Sequence, residues 1–239
     1  FCDDYYLKNP LASQDAAGFD DFLQACGFHT LDITPCADGR LAHVVRYVLR
    51  LPQESVRRKS YAGALFDIED SIQKWVEVEM LRYREGRPNL ADAPTRYLKT
   101  VVYHFSSVDP EHQGCAAHGS DTQLAAAEGL KRLEAFREAI ENSYCCGASI
   151  DLLLVGLDTD TDAIRVHVPD GQGTIDLDGF VDNYALFDAT ARLSSAEATA
   201  TMERAVAAAA ENTSPGMQRF VAQLLKNNLS QIAYVREFH

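Results

Sequence analysis

The chain has 239 residues, enough for one large domain or two small ones. A net charge of −13 excludes a nucleic-acid surface, which needs a basic face, and no apolar run approaches the length of a membrane span. Six cysteines (Cys2, Cys26, Cys36, Cys115, Cys145 and Cys146) are too sparse for a small secreted disulfide scaffold; they fit free thiols or metal ligands in a reducing compartment. The opening Phe1-Cys2-Asp3-Asp4 carries neither an initiator Met nor a signal-peptide pattern, as expected of a fragment or a processed form.

Residues 14–26 place Phe19, Phe22 and Leu23 at helical spacing, with Gly27 as a natural stop. Phe28 to Ile33 reads as a short strand. Leu41 to Leu51 is apolar and supports either helix or strand, and Pro52 ends it. Gln53 to Gly63, with the basic cluster Arg57-Arg58-Lys59, reads as a solvated loop. Asp67 to Tyr83 is the clearest amphipathic helix, with Ile68, Ile72, Trp75, Val76 and Met80 in helical register. Tyr97 to Phe105 is β-branched and aromatic, a strand. A polar loop runs from Ser106 to Gly114, and Cys115 opens a helix reaching about Asn142. Ser149 to Asp158 is a buried strand, and Ala163 to Val168 alternates as another. The acids at 158, 160 and 162 open like a calcium loop, but Ala163 stands at the sixth position and Pro169 at the twelfth, so calcium is rejected. Helices from Ser195 to Ala210 and from Gly216 to Asn228 complete the chain. Strands alternating with helices, without a repeat or a linker, predict one α/β domain over 1–239.

The stretch Ile33-Thr34-Pro35-Cys36-Ala37-Asp38-Gly39-Arg40 sets a thiol, a carboxylate and a guanidinium at alternate positions, facing one side if extended. A thiolate suits a soft metal. A carboxylate two residues on accepts a hydrogen bond from a metal-bound water, and a planar guanidinium keeps that carboxylate ionised. C-x-D-x-R alone is a weak pattern. His104 ends a predicted strand, and sites of α/β sheets form at the carboxyl ends of strands. With Cys36 and Cys115 it makes a Cys2His set, whose fourth tetrahedral position is left for water in a catalytic zinc site. His112, three residues before Cys115, and His118, one turn after, are competing imidazoles; His112 lies in a Pro-containing polar loop, which favours His104. Taken singly, each residue has a plain alternative: buried thiols at Cys36 and Cys115, a surface ion pair at Asp38–Arg40, a satisfied strand-end His104. Cys145-Cys146 reads as two small apolar residues of a buried element.

The segments ITPCADGRLAHVVRYVLRLP, VVYHFSSVDPEHQGCAAHGSD and CCGASIDLLLVGLDTDTDAIRVHVPD resemble the carboxysome shell carbonic anhydrases, the carboxysomal branch of the β-type family. The ordinary β-type pattern has its second Cys three residues after the His; here an extra loop separates His104 from Cys115, as in that branch. The likeness runs from about residue 19 to the end. It implies a β-carbonic-anhydrase-like sheet flanked by helices, zinc held by Cys36, His104 and Cys115, and Asp38 and Arg40 as the catalytic pair. It implies reversible hydration of CO2 to bicarbonate, supplying CO2 to Rubisco inside the carboxysome, a microcompartment of the bacterial cytoplasm. It further implies an N-terminal helical region and a degenerate C-terminal copy outside these residues, through which shell or Rubisco contacts would run, and an oligomer. Two other readings fit the same residues. One is a non-catalytic, zinc-stabilised carboxysome scaffold, its zinc closed by His112 or Asp38. The other is a CS2 or COS hydrolase on the same fold. The Arg57-Arg58-Lys59 cluster is also a candidate site for an anionic metabolite regulator, and His43, His112 and His118 are candidate proton shuttles.

Overall fold

The computed structural model describes residues 9, 15–88, 95–144 and 150–238; Cys2, Cys145 and Cys146 lie outside the described residues. In chain order the main elements are α1 (Ala16–Ala25), β1 (Phe28–Pro35), β2 (Val56–Arg58), α2 (Ile68–Arg84), β3 (Arg96–Phe105) and α3 (Thr122–Tyr144). They continue with β4 (Ile150–Asp158), β5 (Ile164–His167), β6 (Val181–Asp182), α4 (Asn183–Thr190), α5 (Ser195–Ala209) and α6 (Pro215–Phe238). The strands form one six-stranded sheet in the order β2-β1-β3-β4-β5-β6. β2, β1, β3 and β4 are parallel; β5 and β6 add antiparallel pairs at one edge.

The central strands are largely apolar because both their faces are covered. Every residue of β3 from Tyr97 to Phe105 is buried, as is β1 from Leu31 onward. α3 packs over β3 and β4 with α2 beside it, α1 lies on β1, and α6 contacts β5. Close packing is visible at Gly156 of β4. A Cβ there would lie 2.6 Å from the ring and hydroxyl of Tyr103, which bonds the buried His167 at 2.9 Å.

Two charges inside this apolar sheet escape sequence reading. Asp32 of β1 and Lys99 of β3 stand opposite one another in the strand register. Lys99 Nζ donates to Asp32 Oδ2 at 2.9 Å and to Thr34 Oγ1 at 3.1 Å, with its charge 4.5 Å from the centre of the Phe66 ring. The Tyr97 hydroxyl donates to the same carboxylate oxygen at 2.5 Å. Burial pushes the Lys99 ammonium below its ordinary pKa, against the pull of Asp32.

From β1 the chain moves outward to β2 on one side, then returns to place β3 on the other, next to β4. The carboxyl ends of β1 and β3 therefore flank a topological switch point, where open α/β sheets form their clefts. Cys36 directly follows β1 and His104 is the penultimate residue of β3.

Several local expectations are corrected. Leu41 to Leu51 is neither strand nor regular helix: Val44–Val48 is a single π turn, and Arg50 follows with φ 49°. The loop expected at Gln53 to Gly63 contains β2, and its cations are engaged: Arg58 donates to the carbonyls of Leu41 and Ala42, and Lys59 to Asp70. Cys115 does not open the long helix. It precedes a 3-10 turn, Ala116–His118, which ends at Gly119 in the left-handed region (φ 60°), and α3 begins afresh at Thr122. β6 and α4 fall in a stretch that sequence reading left unassigned, and α6 runs ten residues beyond Asn228, to Phe238.

Candidate metal centre

Cys36, His104 and Cys115 converge. Their candidate donor atoms all lie within 4.8 Å of one another and all three residues are buried; among the described residues they are the one such group of three or more. Three separate pieces of backbone bring them there. Cys36 extends β1 by one residue, its N–H donating to Val102 O of β3 at 3.1 Å and its backbone bridging to Tyr61. His104 is fixed by the β3 ladder. Cys115 lies at the end of the 106–114 loop, where His118 one turn later donates from Nε2 to Gly63 O (3.1 Å), tying this loop to the segment beside Cys36.

The Cys36 and Cys115 sulfurs are 3.8 Å apart. The hydrogen bond from Cys115 holds the Cys36 thiol far below its ordinary value, with His104 adding to the effect; the same bond and burial push Cys115 up. A thiolate on one sulfur disfavours a thiolate on the other, 3.8 Å away. His104 is wholly buried and neither ring nitrogen has a hydrogen-bond partner. A buried, unpartnered imidazole is costly, and a second thiolate is disfavoured beside the first. A soft divalent cation removes both penalties, and two sulfurs with one imidazole nitrogen are donors that zinc accepts. The residues present fit zinc.

Asp38 stands beside this cluster, its Oδ2 3.7 Å from His104 Nε2. The expected extended alternation stops there: Asp38 is extended, but Gly39–Leu41 is a 3-10 turn that Asp38 itself caps by accepting from the Arg40 N–H at 2.9 Å. The turn swings Arg40 back over Asp38. Arg40 Nε donates to Asp38 Oδ1 (3.0 Å) and its NH2 nitrogen to Oδ2 (2.9 Å), a two-pronged pair. The Arg40 fork is the main reason the Asp38 carboxyl is lowered to a pKa of about 2. The remaining Arg40 hydrogens go to Gln113 O (2.8 Å), Thr159 Oγ1 (3.2 Å) and Gly114 O (3.4 Å). A guanidinium has five N–H bonds, so every one of them is engaged.

The alternating acids rejected as a calcium loop have a different task. Asp158 accepts from the Ser107 N–H and hydroxyl, from the Asp160 N–H and from the Thr161 hydroxyl. Asp160 accepts from the Ser106 hydroxyl and the Val108 N–H. Together they lock the loops that leave β3 and β4 around Arg40. His112 is three-quarters exposed and pairs with Asp109, and His118 is buried against Gly63; neither joins the cluster.

The family model described as "Carboxysome Shell Carbonic Anhydrase, catalytic domain" matches residues 18–239. The chain belongs to this family. The carboxysome shell carbonic anhydrase of Prochlorococcus marinus (strain MIT 9313) is 56% identical over 242 residues, covering 99% of this chain and 47% of that protein. The one from Parasynechococcus marenigrum (strain WH8102) is 53% identical, over 100% of this chain and 42% of the relative. That of Halothiobacillus neapolitanus is 52% identical, over 94% and 46%. The chain spans less than half the length of each of these carboxysome shell carbonic anhydrases. A solved β-carbonic anhydrase, CafA of Aspergillus fumigatus, overlays at a TM-score of 0.36 and 14% identity, covering 59% of this chain and 77% of that one, too loosely to bear on the site.

Proposed function

We propose that this chain is a single zinc-dependent catalytic domain that interconverts CO2 and water with bicarbonate and a proton, and that it works in the carboxysome. The observation that carries the reading is the buried Cys36–His104–Cys115 cluster with an arginine-held carboxylate at its side. Cys36 and Cys115 supply sulfur and His104 a ring nitrogen to the zinc. Zinc, when bound, supplies Lewis acidity that brings the pKa of a water from near 16 to about 7.

The chain's own residues do the rest. Asp38, ionised at any physiological pH, accepts a hydrogen bond from the attacking water and so aims its lone pair at the carbon of CO2. Arg40 holds both Asp38 oxygens and so fixes the orientation of the carboxylate. The buried walls around His104 keep bulk water from competing. One C–O bond forms, and one proton leaves to solvent as bicarbonate departs. The scaffold reading needs a closed site. Its two candidate fourth ligands are engaged elsewhere, His112 with Asp109 and Asp38 with Arg40.

Stopped-flow CO2 hydration, with zinc measured on the same sample, tests this. Activity with about one zinc per chain, both lost in Cys36→Ser, is the expected result; a zinc-loaded chain without activity overturns it. Contacts with the shell or Rubisco are assigned to segments outside this chain, and an oligomer is proposed. Regulation by an anionic metabolite, if it uses the basic cluster, falls to the cavity of about 270 Å³ that Arg57, Lys59, Lys74 and Lys99 line. Equal activity with and without sugar phosphates at fixed ionic strength removes that proposal.

A further inference from the structure

We infer that Thr159 is a positioning residue for catalysis, acting through Arg40; this rests on the catalytic reading above. Thr159 directly follows β4. Its N–H donates to Phe105 O at 2.9 Å, and its hydroxyl lies 3.2 Å from that same carbonyl. Phe105 is the residue after His104. The hydroxyl has one proton and two lone pairs. With the proton directed at Phe105 O, a lone pair faces Arg40 NH1, which donates to it at 3.2 Å. The threonine thus presents a fixed acceptor to the guanidinium.

This matters because Arg40 has no alternative anchor of the same kind. Its other outward contacts are the carbonyls of Gln113 and Gly114, on the loop that delivers Cys115. Those two carbonyls fix Arg40 relative to Cys115. Thr159 fixes it relative to the end of β3, and hence to His104. The guanidinium is the rigid plate that carries both references to Asp38. Side-chain accessibility of 39% leaves Arg40 free to swing towards solvent if one anchor is lost. Asp158 and Asp160 hold the Thr159 turn by six hydrogen bonds to neighbouring loop residues. The turn itself therefore stays in place when only the hydroxyl is removed. Thr159→Val deletes that hydroxyl at nearly constant shape, and Thr159→Ser keeps it.

The holoprotein is compared as wild type, Thr159→Val, Thr159→Ser, Arg40→Ala and the Thr159→Val/Arg40→Ala pair. A hydrogen bond to a charged group of this kind is equivalent to a loss of about ten-fold or more. The expected result is a kcat about ten-fold lower in Thr159→Val with KM, zinc content and melting temperature unchanged. Thr159→Ser returns to within about two-fold of wild type, as expected if the hydroxyl alone carries the effect. In the Arg40→Ala background Thr159→Val costs nothing further. In parallel, the Arg40 Nε–H resonance exchanges slowly with solvent in wild type and Thr159→Ser, and faster in Thr159→Val. This readout needs no turnover, so an inactive wild type would refute the catalytic reading while the exchange rates still decide whether Thr159 holds Arg40. The inference is overturned if Thr159→Val matches wild type, if Ser and Val lose equally, or if the loss persists in full without Arg40. Should Thr159→Val fail to fold, Thr159→Ala with the same exchange measurement decides in its place.

Discussion

Replacing Lys99 by Met isolates the cost of an unbalanced charge in the sheet. Lys99 and Asp32 have side-chain accessibilities of only 3% and 9%, so neither can turn to water. Removing the ammonium takes away the buried counter-charge of Asp32 and leaves its carboxylate with the Tyr97 hydroxyl and the more distant, exposed Arg57 opposite it on β2. Breaking a buried pair from one side costs about 3–5 kcal/mol. For a chain of this size that is a fall in melting temperature of about 6–20 °C. The volume is nearly conserved and the methionine can still lie against Phe66, so packing contributes little. Removing the whole polar set should recover most of the loss. The Asp32→Leu/Lys99→Met/Tyr97→Phe triple leaves no orphaned charge or phenol, and such replacements of buried pairs are often neutral. The assay is urea unfolding at fixed metal content, followed by circular dichroism and by fluorescence of Trp75, the one tryptophan, which is buried on α2. A loss under about 1 kcal/mol for Lys99→Met, or a triple variant as weak as the single one, refutes the reasoning.

The Asp38–Arg40 pair gives a pH dependence of definite sign. Asp38 has its folded pKa lowered to about 2 from 3.8, so its contribution to stability is complete above the unfolded value and disappears as pH falls from 3.8 towards 2. Urea midpoints of metal-free wild type and Asp38→Asn should therefore differ by a constant amount above pH 5 and converge below it; a gap that widens in acid contradicts the assignment. At Gly156, alanine drives a methyl group into the Tyr103 ring. The expected penalty is about 1–3 kcal/mol, read as a lower melting temperature, with relief in Gly156→Ala/Tyr103→Leu; an unchanged melting temperature in Gly156→Ala would show that the ring moves freely.

The parallel core was legible because β1, β3 and β4 are rich in apolar and β-branched residues. α2 was legible because Asp67 caps it and Gly86 stops it around a clear stripe centred on Trp75. Convergence of positions 36 and 104 followed from placing them at strand ends, whereas Cys115, expected at a helix start, reaches them from the end of a loop. What escaped was decided over long distances. The π turn at Val44–Val48 satisfies helical and strand patterns equally, and its fate is set by Asn228, whose amide donates to Val48 O from 180 residues away. α6 outran its apolar pattern because Asn228 and Gln231 are buried by hydrogen bonds rather than by hydrophobicity. β2 is three residues long and exists only through its register with β1. Lys99 and Asp32, read locally, are ordinary polar residues of a strand; only their pairing makes them interior. The role of Thr159 was hidden for a similar reason, since a threonine after a strand carries no local signal of the arginine it meets.

The ligand geometry also constrains how this protein is made. The two cysteines lie 79 positions apart, with His104 between them on a different strand. No short segment of the nascent chain can assemble the site. The β1–β3 pairing, a crossover that spans β2 and α2, must close first, and closures of that length are late and slow. If zinc is held here as proposed, its loading is a terminal event in biogenesis, and a metal held at all three positions recognises the native state alone. Free metal at about a hundred times its dissociation constant then adds about 2.7 kcal/mol to the folded state. Metal supply in the cell would govern how much of this protein survives as well as how much of it works.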